Sequence, residues 1–176
     1  VMYYADIKEY DVANGPGVRI SLFVSGCTHH CEGCFNEDAW DFHYGKPFTE
    51  QEENRIIEYL KNDFVSGITL LGGEPFEHIN QQGILNLLRR IKKECPNKTI
   101  WAFSGYLFDK DIVSRMMKEY DETKEILSYI DVLVDGKFVL ALKNFKLKFR
   151  GSSNQRIINA QESLRQNKVI LMEEYM

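Results

Sequence analysis

Three cysteines crowded into one short stretch, Cys27, Cys31 and Cys34, restrict what this chain can fold into more than any other feature. Separations of four and then three residues would put all three on one face of a helix. Their neighbours argue against a helix. Gly26 and Gly33 are poor helix residues, and Thr28, His29 and His30 are polar. The preceding run Val18 to Ser25 (VRISLFVS) carries β-branched and large apolar residues between glycine-marked breaks and reads as a buried strand. The cysteines therefore sit in a loop leaving a strand end, as a segment that wraps a metal centre would. Four cysteines are too few for a disulfide scaffold, and clustering favours metal or redox chemistry. Cys31 and Cys34 alone, a C-x2-C pair, could equally form a redox disulfide. A structural zinc site needs a fourth ligand, which His29, His30 or the distant Cys95 would have to supply. An iron-sulfur cluster held by three thiolates would instead leave one iron open to a substrate. The residues alone leave both readings standing.

Composition narrows the rest. A chain of 176 residues, 44% hydrophobic, suits a single domain over residues 1–176. A net charge of -4 with scattered Lys and Arg offers no basic footprint for nucleic acid. No apolar run approaches the roughly 18 residues of a membrane span, and the first residues lack the charged-then-apolar order of a secretion signal. A cytoplasmic location without membrane partners is expected.

Along the chain, strands and helices alternate. Thr49-Glu50-Gln51-Glu52 forms a capping-box pattern, followed by Ile56, Ile57 and Leu60 at helical spacing. Gly67 to Leu71 reads as a strand running into Gly72, Gly73, Glu74 and Pro75. Ile84, Leu85, Leu87, Leu88 and Ile91 mark an amphipathic helix that stops before Pro96. A strand at Thr99 to Phe103 leads into Ser104, Gly105 and Tyr106. Helices are expected at about 109–119 and 121–127, then a strand at Asp131 to Val134 ending in Asp135-Gly136-Lys137-Phe138. Beyond it, short strands at 147–149, 156–158 and 169–171 and a polar helix at 160–166 are expected. This order predicts an α/β fold with a mostly parallel sheet and all four strand-end loops gathered beyond one edge. A closed eightfold barrel takes about 250 residues, so an open, partial βα barrel is expected.

C-x3-C-x2-C after one strand and GGEP after the next resemble the radical S-adenosylmethionine enzymes. That resemblance implies a 4Fe-4S cluster on Cys27, Cys31 and Cys34, with S-adenosylmethionine chelating the fourth iron. The narrower signatures NGPGVRISLFVSGC, CEGCFN, GGEPF, FSGY, DGKF and RGSSNQRI, spread from Asn14 to Ile158, look like those of the anaerobic ribonucleoside-triphosphate reductase activating proteins. The implied activity is cleavage of S-adenosylmethionine and installation of a radical on a glycine of the reductase. No side-chain catalyst is required, because the cofactor carries the chemistry. A reduced flavodoxin-like protein is the implied electron donor.

By the same resemblance Gly72, Gly73, Glu74 and Pro75 line the methionyl amino group, Ser104 and Tyr106 lie near the cofactor, and Asp135 and Lys137 approach its carboxylate or a cation. Each has a plainer reading: a strand-ending turn, a packed aromatic, a solvated turn. Arg19 would face the partner or the cofactor, or, in the plainer reading, form a solvated strand-flank pair. His29 and His30 read as exposed, Cys95 as a small buried hydrophobe, and His43 and His78 have no obvious partners. Arg150 to Arg156 would shape the mouth of the site or meet the reductase. Competing functions are an activase of another glycyl-radical enzyme, a small-molecule radical enzyme, and a non-enzymatic zinc module.

Overall fold

The computed structural model describes residues 1–176. The chain opens with strand β1 (Tyr3–Asp11) and β2 (Val18–Val24), followed after the cysteine loop by the two-residue strand β3 (Lys46–Pro47). Then come α1 (Glu50–Leu60), β4 (Val65–Gly72), α2 (His78–Glu94) and β5 (Thr99–Ser104). A wide-turned π-helix at Phe108–Met116 continues into α3 (Met117–Glu119), and α4 (Asp121–Tyr129), β6 (Val132–Asp135), β7 (Arg156–Asn159) and α5 (Ala160–Gln166) complete the order. One seven-stranded sheet results, in the order β3-β1-β2-β4-β5-β6-β7. Its central strands β2, β4, β5 and β6 are parallel, whereas β1 and β7 flank them antiparallel. The outermost strands β3 and β7 do not pair with each other, so the sheet is open.

Local sequence accounts for the element limits. Thr49 Oγ1 accepts the Gln51 N–H and the Glu52 carboxylate accepts the Thr49 N–H at 3.1 Å, which fixes the start of α1. α2 ends at Cys95, the residue before Pro96, whose ring disfavours helical geometry there. Alternation along the strands sorts side chains to two faces. Ile20, Leu22, Ile68, Leu70 and Ile100 join Ile56, Leu60, Ile84, Leu87 and Leu88 of α1 and α2 in the main core. Each such side chain contributes roughly 1.5–3 kcal/mol over its exposed state. Trp101, Val132, Val134 and Ile157 form a smaller cluster on the opposite face, which carries no α-helix residue and packs instead against Phe103, Phe149 and the C-terminal Met172 and Tyr175. That helix-free face is where the strand-end loops turn.

Several expectations differ from the structure. Residues 147–149 are not a strand, because β7 already occupies the free edge of β6. Residues 169–171 make only an isolated bridge, Leu171 to Ile158. β1 was not signalled by its sequence: Asp6, Lys8 and Glu9 break the alternation, and only Ile7 and Asp11 along it are buried. Arg19 is not a solvated pair. It is 0% exposed, and its guanidinium donates to Thr69 Oγ1, Thr99 Oγ1 and the carbonyls of Pro16, Ile68 and Thr99. With Trp101 5.8 Å away, it stitches β2, β4 and β5 together on the helix-free face.

Candidate metal centre

The cysteine loop is irregular, which removes the helical-stripe reading. Gly26 has φ +101°, and a Cβ there would lie 2.2 Å from the Phe42 ring, so the chain turns sharply off β2 only because this residue is glycine. The loop is pinned to its neighbour. Glu74 N–H donates to the Gly26 carbonyl at 2.8 Å, Gly73 N–H to Val24 at 2.8 Å, and Thr28 donates through its amide and hydroxyl to the Glu77 carboxylate. Cys27, Cys31 and Cys34 all line one cavity of about 430 Å³. Gly72 and Gly73 line it from the end of β4, Ser104 and Gly105 from β5, and Gly136 and Lys137 from β6.

The other sequence-selected residues stand behind this wall. Glu74 is fully buried, and its carboxylate accepts four donors: His29 Nε2 at 2.8 Å, Gly105 N–H at 2.7 Å, Phe76 N–H at 2.8 Å and Ser104 Oγ at 2.9 Å. Pro75 is buried beside it. Tyr106 packs edge-on to His29 with centroids 4.5 Å apart, and burial first, then the Glu77 and Glu74 carboxylates, push its phenol up to about 12. Asp135 is fully buried, paired with Arg156 Nη2 at 2.6 Å and accepting the Phe108 N–H at 2.7 Å at the start of the π-helix. None of these four lines the cavity. Among them the carboxylates of Glu74 and Asp135 are spent on holding loops.

His29 corrects its expected exposure: its side chain is only 6% exposed, drawn in by the Glu74 carboxylate. His30 does remain exposed, stacked on Trp40, while His78 stacks on Tyr120 at 3.9 Å and His43 meets Tyr3 edge-on. Cys95 lies in the main core, outside the cavity. The Arg150 to Arg156 segment braces the β6 loop. Asn154 Nδ2 donates to the Lys137 carbonyl, Gln155 Nε2 to that of Gly136, and Arg156 pairs with Asp135 and Asp109. Phe35, Phe103 and Phe138, which fall inside the quoted signatures without a role of their own, also line the cavity, as do Arg150, Gly151 and Gln155 of the segment expected at its mouth.

The donor set fits a thiolate-held cluster. Three thiols of a soft-metal kind line a space to which Gly72, Gly73, Gly105 and Gly136 also contribute, so a ligand beside those glycines meets peptide groups at close range. Burial pushes the Cys27 thiol up to about 11 and raises that of Cys31. Metal ligation would require both to be deprotonated.

A family model described as a 4Fe-4S single cluster domain matches residues 13–158. The anaerobic ribonucleoside-triphosphate reductase-activating protein of Escherichia coli K12 is 44% identical over 156 residues, 88% of this chain and 96% of that protein. Its counterpart in Vibrio cholerae is 42% identical over 159 residues, covering 89% and 97% of the two chains. The chain belongs to this family of activating proteins. The counterpart in phage T4, at 40% identity over 156 residues, shows that the family reaches beyond bacterial genomes. Each of these proteins is spanned almost entirely, and the residues that the family model matches include the cavity lining, its cysteines and the bracing segment.

Proposed function

We propose that this chain activates an anaerobic ribonucleoside-triphosphate reductase by installing a radical on one of its glycines. The reading treats residues 1–176 as one radical S-adenosylmethionine domain, with the open sheet as a partial βα barrel whose interior is the helix-free face. The observation that carries it is the meeting of Cys27, Cys31 and Cys34 with the glycine-lined ends of β4, β5 and β6 in a single cavity. Held by Cys27, Cys31 and Cys34, a 4Fe-4S cluster together with S-adenosylmethionine would supply the radical chemistry by which a hydrogen is removed from the partner's glycine.

The chain's own residues have simpler tasks. Cys27, Cys31 and Cys34 give up their thiol protons and hold iron. Gly72 and Gly73 let the backbone approach the methionyl amino group, and Lys137 offers a cation to its carboxylate. Ser104 stands at the cavity wall. Glu74, Pro75, Tyr106 and Asp135 act in this reading as supports that orient the loops. A reduced flavodoxin-like protein would donate the electron, in the cytoplasm. No helix of the structure is long and apolar enough to cross a membrane.

The test is an anaerobic reaction of reduced, reconstituted chain with S-adenosylmethionine and the reductase, followed by chromatography for 5'-deoxyadenosine and spin resonance for a glycyl radical. Both signals are expected. Cleavage without a protein radical would reject the activase role while sparing the cofactor chemistry.

A further inference from the structure

The segment Lys137 to Arg150, on one side of the cavity, departs from the rest of the surface. It carries Lys137, Lys143, Lys146, Lys148 and Arg150 without one Asp or Glu, in a chain whose net charge is -4. None of the five takes part in an ion pair. The same stretch exposes Val139, Leu140, Leu142 and Phe145, the last at 88%, and Phe35 of the cysteine loop adds 68% beside them. These are five of the twelve large apolar side chains that the whole molecule exposes, so the patch is concentrated rather than incidental.

The pieces are in contact. Lys143 Nζ sits 5.1 Å from the Phe35 ring centre and 4.6 Å from that of Phe145, and Phe35 and Phe138 lie 5.4 Å apart. Leu140 packs over Gly33, where a Cβ would come within 2.9 Å of its Cδ1. Backbone bonds hold the strap in place: Ser153 N–H to the Leu142 carbonyl at 3.0 Å, and Val139 N–H to Ser152 Oγ at 3.1 Å. The patch is continuous with the cavity, since Phe35, Phe138, Lys143 and Phe145 line both.

We infer that this strap is the docking surface for the protein substrate. Its occupant is a segment of the reductase that is apolar at the centre, acidic on its flanks, and positioned to carry the glycine past Phe35 to the cysteines. The inference rests on the activase reading. An apolar face of this kind supplies contact area, while unpaired lysines at its rim speed the encounter with an acidic partner. Nucleic acid suits it less, because the molecule's net negative charge gives a phosphate chain no track beyond the patch.

The experiment compares the reconstituted parent chain with Lys146→Glu/Lys148→Glu and, separately, Leu142→Asp, none of which lines the cavity. Chemically reduced S-adenosylmethionine cleavage without partner should match the parent in both. The reductase concentration giving half-maximal glycyl radical formation should rise about tenfold at low salt in the charge variant, and the gap should close near 0.5 M salt, where the Debye length is only about 4 Å. Leu142→Asp should raise that concentration at every salt. Equal half-maximal concentrations for parent and both variants would overturn the surface. So would its occupation by a single-stranded oligonucleotide that displaces the reductase, or a dimer of the chain that either variant dissociates. A parent that cleaves S-adenosylmethionine but never yields a protein radical would contradict the activase reading itself, and the surface with it.

Discussion

At the residue scale the four cysteines divide by environment, and spacing foretold the division. Cys95 is 6% exposed among core apolar side chains, its sulfur 3.9 Å from the Ile57 carbonyl and outside the cavity that the other three line. Cys95→Ala should therefore leave iron and acid-labile sulfide per chain unchanged after anaerobic reconstitution, whereas Cys31→Ala should lose most of both. Full iron in Cys31→Ala would mean the ligand set is wrong. His29 was less legible. Its polarity and loop position suggested solvent, yet Glu74, buried behind the next strand end, accepts its Nε2–H. Partners 45 positions apart in the chain leave no local pattern to read. Arg19 is a similar case, since only the assembled sheet supplies its carbonyl and hydroxyl acceptors from β4 and β5.

At the scale of elements, the parallel core β2-β4-β5-β6 followed from apolar runs punctuated by glycine, and α1 from the capping pattern at Thr49. The antiparallel edges were hidden because β1 buries few residues and β7 is four residues long. Asp135, expected by resemblance near the cofactor carboxylate or a cation, sits at the end of β6 beside Gly136, and its carboxylate joins β6, β7 and the π-helix. Asp135→Ala would orphan the Phe108 N–H and remove the buried partner of Arg156, leaving it Asp109 alone. A loss of roughly 2–4 kcal/mol of stability is expected by urea denaturation, with Asp135→Asn losing less because it keeps an acceptor for the Phe108 amide. An Asp135→Ala variant as stable as the parent, with weakened S-adenosylmethionine binding, would return the residue to the cofactor.

At the scale of the molecule, acid stability depends on carboxylates held ionised by the fold. Burial opposes ionisation of Asp11, but the Ser21 hydroxyl, the Asn14 amide and the Ala13 N–H outweigh it, so its pKa lies below the ordinary 3.8. Burial likewise opposes Asp109, and Arg156 outweighs it. Because these folded-state values lie below the unfolded ones, the unfolded chain binds more protons as pH falls past about 4, and the contribution present above that pH is lost through the folded pKa. Asp11→Asn should cost about 1 kcal/mol at pH 7, a deficit that shrinks as pH falls toward 2 through the lowered folded-state pKa of Asp11. A urea series across that range checks it; a deficit that persists undiminished at pH 2 would mean packing rather than charge is responsible.

The proposed function has three thiolates hold a cluster and leave one iron for S-adenosylmethionine, inside a cavity lined by the glycine-bearing strand ends. Its most direct measurement is the electron paramagnetic resonance spectrum of the reconstituted, reduced chain with and without S-adenosylmethionine. The expected result is a 4Fe-4S signal whose g values shift when the cofactor is added. A cluster spectrum that does not change on addition, or a chain that takes up zinc and no iron, would contradict it.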